Sequence, residues 1–231
     1  MLDDIFNTAS VSKDAFEELT ETKPVSTFSA KKESYWDKQD IQSADINVTT
    51  FKRTGKSFAI YVYPENDIPE EAANMLTVIA KALMKEGFTF RHTGNSDNLM
   101  HNDIIGSDNA KVVSYLPWKK FNTNISTPIL SNELGYQIAI GIHKGFMKLP
   151  PAVRAILARD VNALTGTKAS DPVDLVLAWT DGGAEALGNN ADFKKIGNNA
   201  FTLQVAKRAN IPVFNVYNAD FIERFKALVN K

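Results

Sequence analysis

Asp171-Pro172-Val173-Asp174-Leu175-Val176-Leu177-Ala178-Trp179-Thr180 runs straight into Asp181-Gly182-Gly183. A short apolar run, entered past a proline and closed by a glycine pair, is the pattern of a strand buried on both faces, as parallel strands are. Downstream, Ile196-Gly197-Asn198-Asn199-Ala200 opens a helical run ending at Ala209, and Ile211-Pro212-Val213-Phe214-Asn215-Val216 follows as another short apolar strand. A strand, glycine loop, helix, strand unit sets backbone N–H groups at a helix start beside the carboxyl end of a parallel strand. Open α/β sheets receive anionic ligands at that place.

The same alternation extends toward the amino terminus. Phe58-Ala59-Ile60-Tyr61-Val62-Tyr63 is β-branched and aromatic and is stopped by Pro64, which predicts a strand. Pro69-Glu70-Glu71 then places proline and acids where a helix start takes them. Ala73, Leu76, Ile79, Ala80 and Leu83 recur at helical spacing until Gly87 ends the run. Phe88 to Arg91 reads as a short strand, Asn98 to Ile105 as a helix, and Lys111 to Tyr115 as a further strand before Leu116-Pro117-Trp118. Leu134 to His143 is apolar enough for a buried helix, Ala152 to Leu164 is a clearer one stopped by Gly166, and Asp220 to Val229 closes the chain as an amphipathic helix. The β-α-β alternation predicts an α/β, Rossmann-like, doubly wound and mainly parallel sheet with helices on both faces. No internal repeat or low-complexity tract interrupts it.

Residues 1–50 differ. Their polar stretches and widely spaced apolar residues predict an irregular amino-terminal arm, either disordered or docked on the main domain or a partner through Tyr35 and Trp36, with residues 51–231 forming the domain.

Composition narrows the chemistry. The 231 residues are 44% hydrophobic and 23% charged, enough for one sizeable core plus an appendage. A formal charge of −1 gives no global pull toward nucleic acid or anionic lipid, so such a contact must come from a local patch. The absence of cysteine removes disulfides, thiol nucleophiles and cysteine-based zinc sites, and the three histidines are scattered, so neither a metal site nor a cofactor is expected. No apolar run approaches the ~18 residues of a membrane span, and the acidic start lacks a signal-peptide pattern. The expectation is a cytoplasmic protein with no membrane partner.

In a parallel sheet the carboxyl ends share one edge, so four loops are expected to meet there: Arg91 to Asp97, Leu116 to Asn122, Thr180 to Gly183 and Gly197 to Thr202. Arg91, Thr93, Gly94, Asn95 and Ser96 supply a cation, hydroxyls and pliable backbone suited to phosphate. The plainer alternative is a helix cap, with Arg91 paired to Asp97 or Asp103. Trp118, Lys119 and Lys120 alternate aromatic and basic groups that can stack a base and neutralise phosphate, unless Trp118 and Phe121 only cover the sheet edge. Thr180, Gly182 and Gly183 offer a turn open to a ligand, or simply a turn. Gly197, Asn198, Asn199 and Thr202 suit a ligand-facing helix start, and capping alone also explains them. His92 and His101 read as unliganded surface or capping histidines.

Five ordered blocks carry a resemblance: Gly87 to Arg91, Tyr115 to Asn122, Ala158-Arg159-Asp160-Val161-Asn162, Asp171 to Thr180 and Ile211 to Asn215. Together, from about Ser57 to Asn218, they are similar to the DprA/Smf-like branch of the SLOG superfamily, particularly its small phage-encoded versions. The resemblance implies a Rossmann-like nucleotide-binding domain. Relatives include DNA-processing protein A, which holds single-stranded DNA, and the LOG phosphoribohydrolases, which cleave cytokinin nucleotides. This chain departs from them: only Gly94 and Gly197 retain the glycine character of the two ligand loops, and Phe201 to Gln204 stand where LOG enzymes place a glutamate. The leading expectation is therefore a noncatalytic domain binding a nucleotide or single-stranded nucleic acid. In it Arg91, Lys119 and Lys120 contact phosphate, Trp118 stacks, and the amides near Gly183 and Gly197 line the floor. The rivals are a nucleotide N-glycosidase using Asp97, Asp181 or Glu185, and a structural or host-interaction protein gripping a partner with its arm. A homo-oligomer is compatible with each.

Overall fold

The computed structural model describes residues 56–63, 67–94, 99–108, 110–121, 127–187, 193–197 and 199–229. The amino-terminal arm with Tyr35 and Trp36, and the candidate residues Asn95, Ser96, Asp97, Asn122 and Asn198, lie outside them.

Six strands form one sheet: β1 (Ser57–Tyr63), β2 (Thr89–His92), β3 (Val112–Leu116), β4 (Ile129–Leu130), β5 (Leu175–Thr180) and β6 (Val213–Asn215). Their order is β4-β3-β2-β1-β5-β6, and every pairing is parallel. The helices are α1 (Glu70–Lys85), α2 (Leu99–Ile105), α3 (Glu133–Ile142), α4 (Pro151–Thr165), α5 (Phe193–Ile196), α6 (Asn199–Arg208) and α7 (Phe221–Val229), with a 3-10 turn at Phe146–Lys148. The chain winds outward from β1 to β4, then returns to lay β5 on the free side of β1. The strand order thus reverses between β1 and β5, where open α/β sheets leave a crevice beyond the carboxyl ends.

These two central strands pair from Phe58↔Leu175 to Tyr63↔Thr180, and alternation sorts their side chains onto two cores. Phe58, Ile60, Val62, Leu175, Leu177 and Trp179 face α1, α2 and α7, whereas Ala59, Tyr61, Val176 and Ala178 face α3, α4 and α6. Each fully buried large apolar side chain contributes on the order of 1.5–3 kcal/mol, which is why the uninterrupted apolar runs become the central strands.

Helix ends follow local chemistry. α1 begins after Pro69 with Glu70 and Glu71 in its first turn, and ends where Gly87 N–H donates to Met84 O (3.0 Å) and Phe88 N–H to Leu83 O (2.9 Å). That double bond pattern satisfies two terminal carbonyls and returns the chain to β2. α6 ends the same way, with Asn210 at positive φ and Ile211 N–H donating to Ala206 O at 2.8 Å. Asn132 caps α3 by accepting from Gly135 N–H at 2.9 Å, and its amide donates to Thr167 O at 2.7 Å. The fully buried Asn162 of α4 bonds Asn132 in both directions, which locks the two helices together.

The doubly wound, parallel α/β arrangement read from the sequence is the one observed. Three elements were not anticipated: the two-residue strand β4, the 3-10 turn at Phe146–Lys148 and the four-residue helix α5. Among the described residues no helix is long and apolar enough to cross a membrane.

Candidate functional site

The described parts of the expected loops fall into two groups along the carboxyl edge, one beyond β2 and β3, the other beyond β5 and β6. Residues between them, after β1, are outside the description.

Arg91 does not face the edge. It leaves β2 on the α4 side, is 6% exposed, and donates to Asp171 O (2.8 Å), Asp171 Oδ2 (2.6 Å) and Ala163 O (3.3 Å). Among the described residues its partner is Asp171, eighty positions away in the chain and just before β5, rather than Asp103, which pairs with Lys81 at 2.8 Å; Asp97 lies outside the described residues. The guanidinium fastens the end of α4 and the entry to β5 onto β2.

Thr93 and Gly94 continue this buried packing. The Thr93 carbonyl accepts from Arg159 Nη1, and Gly94 N–H donates to His92 Nδ1 at 3.4 Å. A Cβ on Gly94 would overlap the Leu116 side chain and touch Phe121, so this glycine exists to let the β3 loop close over the β2 loop. His92 and His101 are buried, 1% and 3% exposed, with rings edge to face at 5.5 Å; neither is a surface histidine. Among the described residues no group of three or more His, Asp or Glu is placed to hold a metal ion.

The β3 loop is different, because its tip is open. Trp118 is 40% exposed, and Lys119 and Lys120 are exposed beside it. The indole stands edge-on to Phe121 with centroids 4.9 Å apart, and the Arg159 guanidinium lies over Phe121 at 5.6 Å. A pedestal of Arg159 and Phe121 thus braces an exposed indole that is followed in the chain by two exposed cations. Its base is a buried pair with no role among the expected contacts, Arg159 and Asp160, 4% and 5% exposed and joined at 2.8 Å. Burial pushes the Asp160 carboxyl up while Arg159 opposes the shift, and burial likewise raises the Tyr61 hydroxyl beside it. Adjacent charges inside the apolar pattern of Ala152 to Leu164 were the available signal.

Beyond β5 and β6 the groove is filled by the chain itself. Thr180 is buried, and its Oγ1 accepts from Ala184 N–H (3.0 Å) and Asn215 Nδ2 (2.8 Å). A Cβ on Gly183 would overlap Asn218 and crowd Tyr217, and one on Gly197 would overlap the Tyr63 ring. Gly182 faces only the Lys195 stem at 3.5 Å, while Asn199 and Thr202, at the start of α6, are buried. Glu185 accepts from Asn215 N–H (2.8 Å), Asn218 Nδ2 (3.0 Å) and both terminal nitrogens of Arg224 (2.6 and 2.7 Å). Asp181 pairs with Lys195 at 3.3 Å. An open cavity of about 590 Å³, lined by Glu185, Tyr217, Asn218, Ala219, Asp220 and Arg224, lies next to this cluster. None of its six residues is among the expected ligand contacts, and its two acids are both tied to Arg224.

The Glu185 carboxylate is thus already held by four donors, and Asp181 is half-exposed in an ordinary ion pair. The second group supplies rigidity, and the first supplies one exposed aromatic and basic tip. The chain matches no protein-family model, no curated protein and no solved structure.

Proposed function

We propose that this chain is a noncatalytic SLOG-type, DprA-like domain of the cytoplasm that binds single-stranded nucleic acid or a nucleotide through the tip of the β3 loop. The observation that carries this reading is the exposed Trp118, braced edge-on by Phe121 and flanked by the exposed Lys119 and Lys120. A braced indole offers a flat apolar face at small entropic cost, and stacking on such a ring contributes roughly 1–3 kcal/mol per base irrespective of sequence. Two lysines beside it can neutralise two phosphates. The proposal moves the contact away from Arg91 and from the glycine turns, where the protein's own side chains take the room a phosphate needs.

Fluorescence anisotropy of a labelled single-stranded oligonucleotide tests it. Binding should weaken with salt at a log–log slope of about −1.4, the value for two phosphate contacts on a single strand. Trp118→Ala should lower affinity about 5- to 150-fold, which corresponds to the loss of one stacked base. Unchanged affinity in both Trp118→Ala and the Lys119→Glu/Lys120→Glu variant would refute the assignment.

The filled glycine turns favour one other reading, a structural or host-interaction protein on a degenerate SLOG fold. It predicts no oligonucleotide binding at any salt. The N-glycosidase reading has the least support, since Asp181 and Glu185 are both engaged in ion pairs.

A further inference from the structure

The turn after α3 carries an exposed surface of unusual make-up. Ile140 is 46% and Met147 67% exposed, two of the four large hydrophobics exposed among the described residues. Around them stand Lys144 and Lys148, both exposed. Arg208 Nη1 donates to Gly141 O at 3.2 Å, which brings the last turn of α6, with the exposed Lys207, against the same end of α3. Residues 134–159 and 199–219 contain no acid at all. Lys144, Lys148 and Lys207 accordingly form no ion pair with a described residue, whereas Lys81, Lys195 and Arg224 each do. Cations at helix carboxyl ends offset the helix dipole, which accounts for Lys207 and Arg208. That does not account for two exposed apolar side chains among unpaired lysines.

The amino-terminal end of the chain has the complementary make-up. Residues 1–22 hold Asp3, Asp4, Asp14, Glu17, Glu18 and Glu21 against the single Lys13, interleaved with apolar Leu2, Ile5, Phe6, Phe16 and Leu19. Residues 23–55 separate them from Lys56, where the description of β1 begins; fully extended they span roughly 110 Å, well beyond a domain about 40 Å across. Residues 1–22 are thus joined to the domain by enough chain to reach this surface.

We infer that the surface formed by Ile140, Lys144, Met147, Lys148 and Lys207 is the docking site of this chain's own acidic segment, residues 1–22. Carboxylates of the segment face the lysines, and its apolar residues cover Ile140 and Met147. A nucleic-acid backbone would use the lysines but leave both apolar side chains in water, so the segment is the better match. The inference does not depend on the β3 tip binding anything.

Hydrogen exchange on the full-length chain tests it through a charge swap. Amides of residues 140–148 should exchange at least threefold faster when the surface is reversed by Lys144→Glu, Lys148→Glu and Lys207→Glu. The same should follow when the segment is reversed by Asp3→Lys, Asp4→Lys, Glu17→Lys and Glu18→Lys. Protection should return when both sets are combined. Exchange indifferent to each set, or no recovery in the combination, would overturn the inference. Carbodiimide cross-linking of mixed isotope-labelled and unlabelled protein fixes the occupant: links within one chain are expected, and links only between labelled and unlabelled chains would overturn it in favour of a second copy.

Discussion

Gly197 and Gly87 both sit at positive φ, +53° and +91°, yet their neighbourhoods differ completely. A Cβ on Gly87 meets nothing within 4 Å, whereas one on Gly197 collides with the Tyr63 ring. Gly87→Ala should therefore cost only the backbone term, about 1–2 kcal/mol, and Gly197→Ala about 1–3 kcal/mol more from overpacking. Adding Tyr63→Ala should relieve the second excess, and urea unfolding measures all three. Were Gly197 kept for a ligand's backbone approach, its alanine variant would unfold like that of Gly87. The buried pair sharpens the same scale. Asp160→Ala strands the Arg159 guanidinium in the interior and should destabilise by about 3–5 kcal/mol, while Asp181→Ala, at a half-exposed pair, should cost less than about 1 kcal/mol. Sequence reading could not separate these cases, because burial and the ring against Gly197 come from chain segments far apart. Arg91 makes the point most sharply: Asp103, close in the chain, was a reasonable partner, and the one observed, Asp171, is brought up only by folding β5 back beside β1.

At the scale of elements, what reads from sequence is what local patterning decides. Phe58 to Tyr63 and Leu175 to Thr180 are long, apolar and punctuated, so both appear as central strands, and α1 announces itself through Pro69, its acids and Gly87. β4 has two residues and no alternation to detect, and its existence depends wholly on pairing with Tyr115 and Leu116. The α3–α4 pair lies between these extremes. Leu134 to His143 and Ala152 to Leu164 were readable as helices, but the lock between them was not, since it consists of Asn132 and Asn162 bonding across thirty residues. Asn132→Ala takes away the α3 cap and the acceptor of the buried Asn162 amide, although the backbone N–H of residue 132 still donates to Asn162 Oδ1. The expected loss is about 2–4 kcal/mol in thermal or urea unfolding, more than a cap alone contributes.

For the whole molecule, the topology delivers the crevice that the β1–β5 reversal implies, and the side chains then fill much of it. Tyr63 lies on Gly197, Asn218 on Gly183, and Leu116 with Phe121 on Gly94. Among the described residues of the carboxyl edge, the β3 tip is where an exposed aromatic stands beside exposed cations, and under the proposed function Trp118, Lys119 and Lys120 would hold a base and its phosphates. Photo-cross-linking of an oligonucleotide carrying 5-iodouracil, followed by peptide mapping, tests that directly. The label is expected on the peptide containing Trp118 to Phe121; a label confined to the peptides spanning residues 180–202, or none at saturating oligonucleotide, would rule out the β3 tip as the contact.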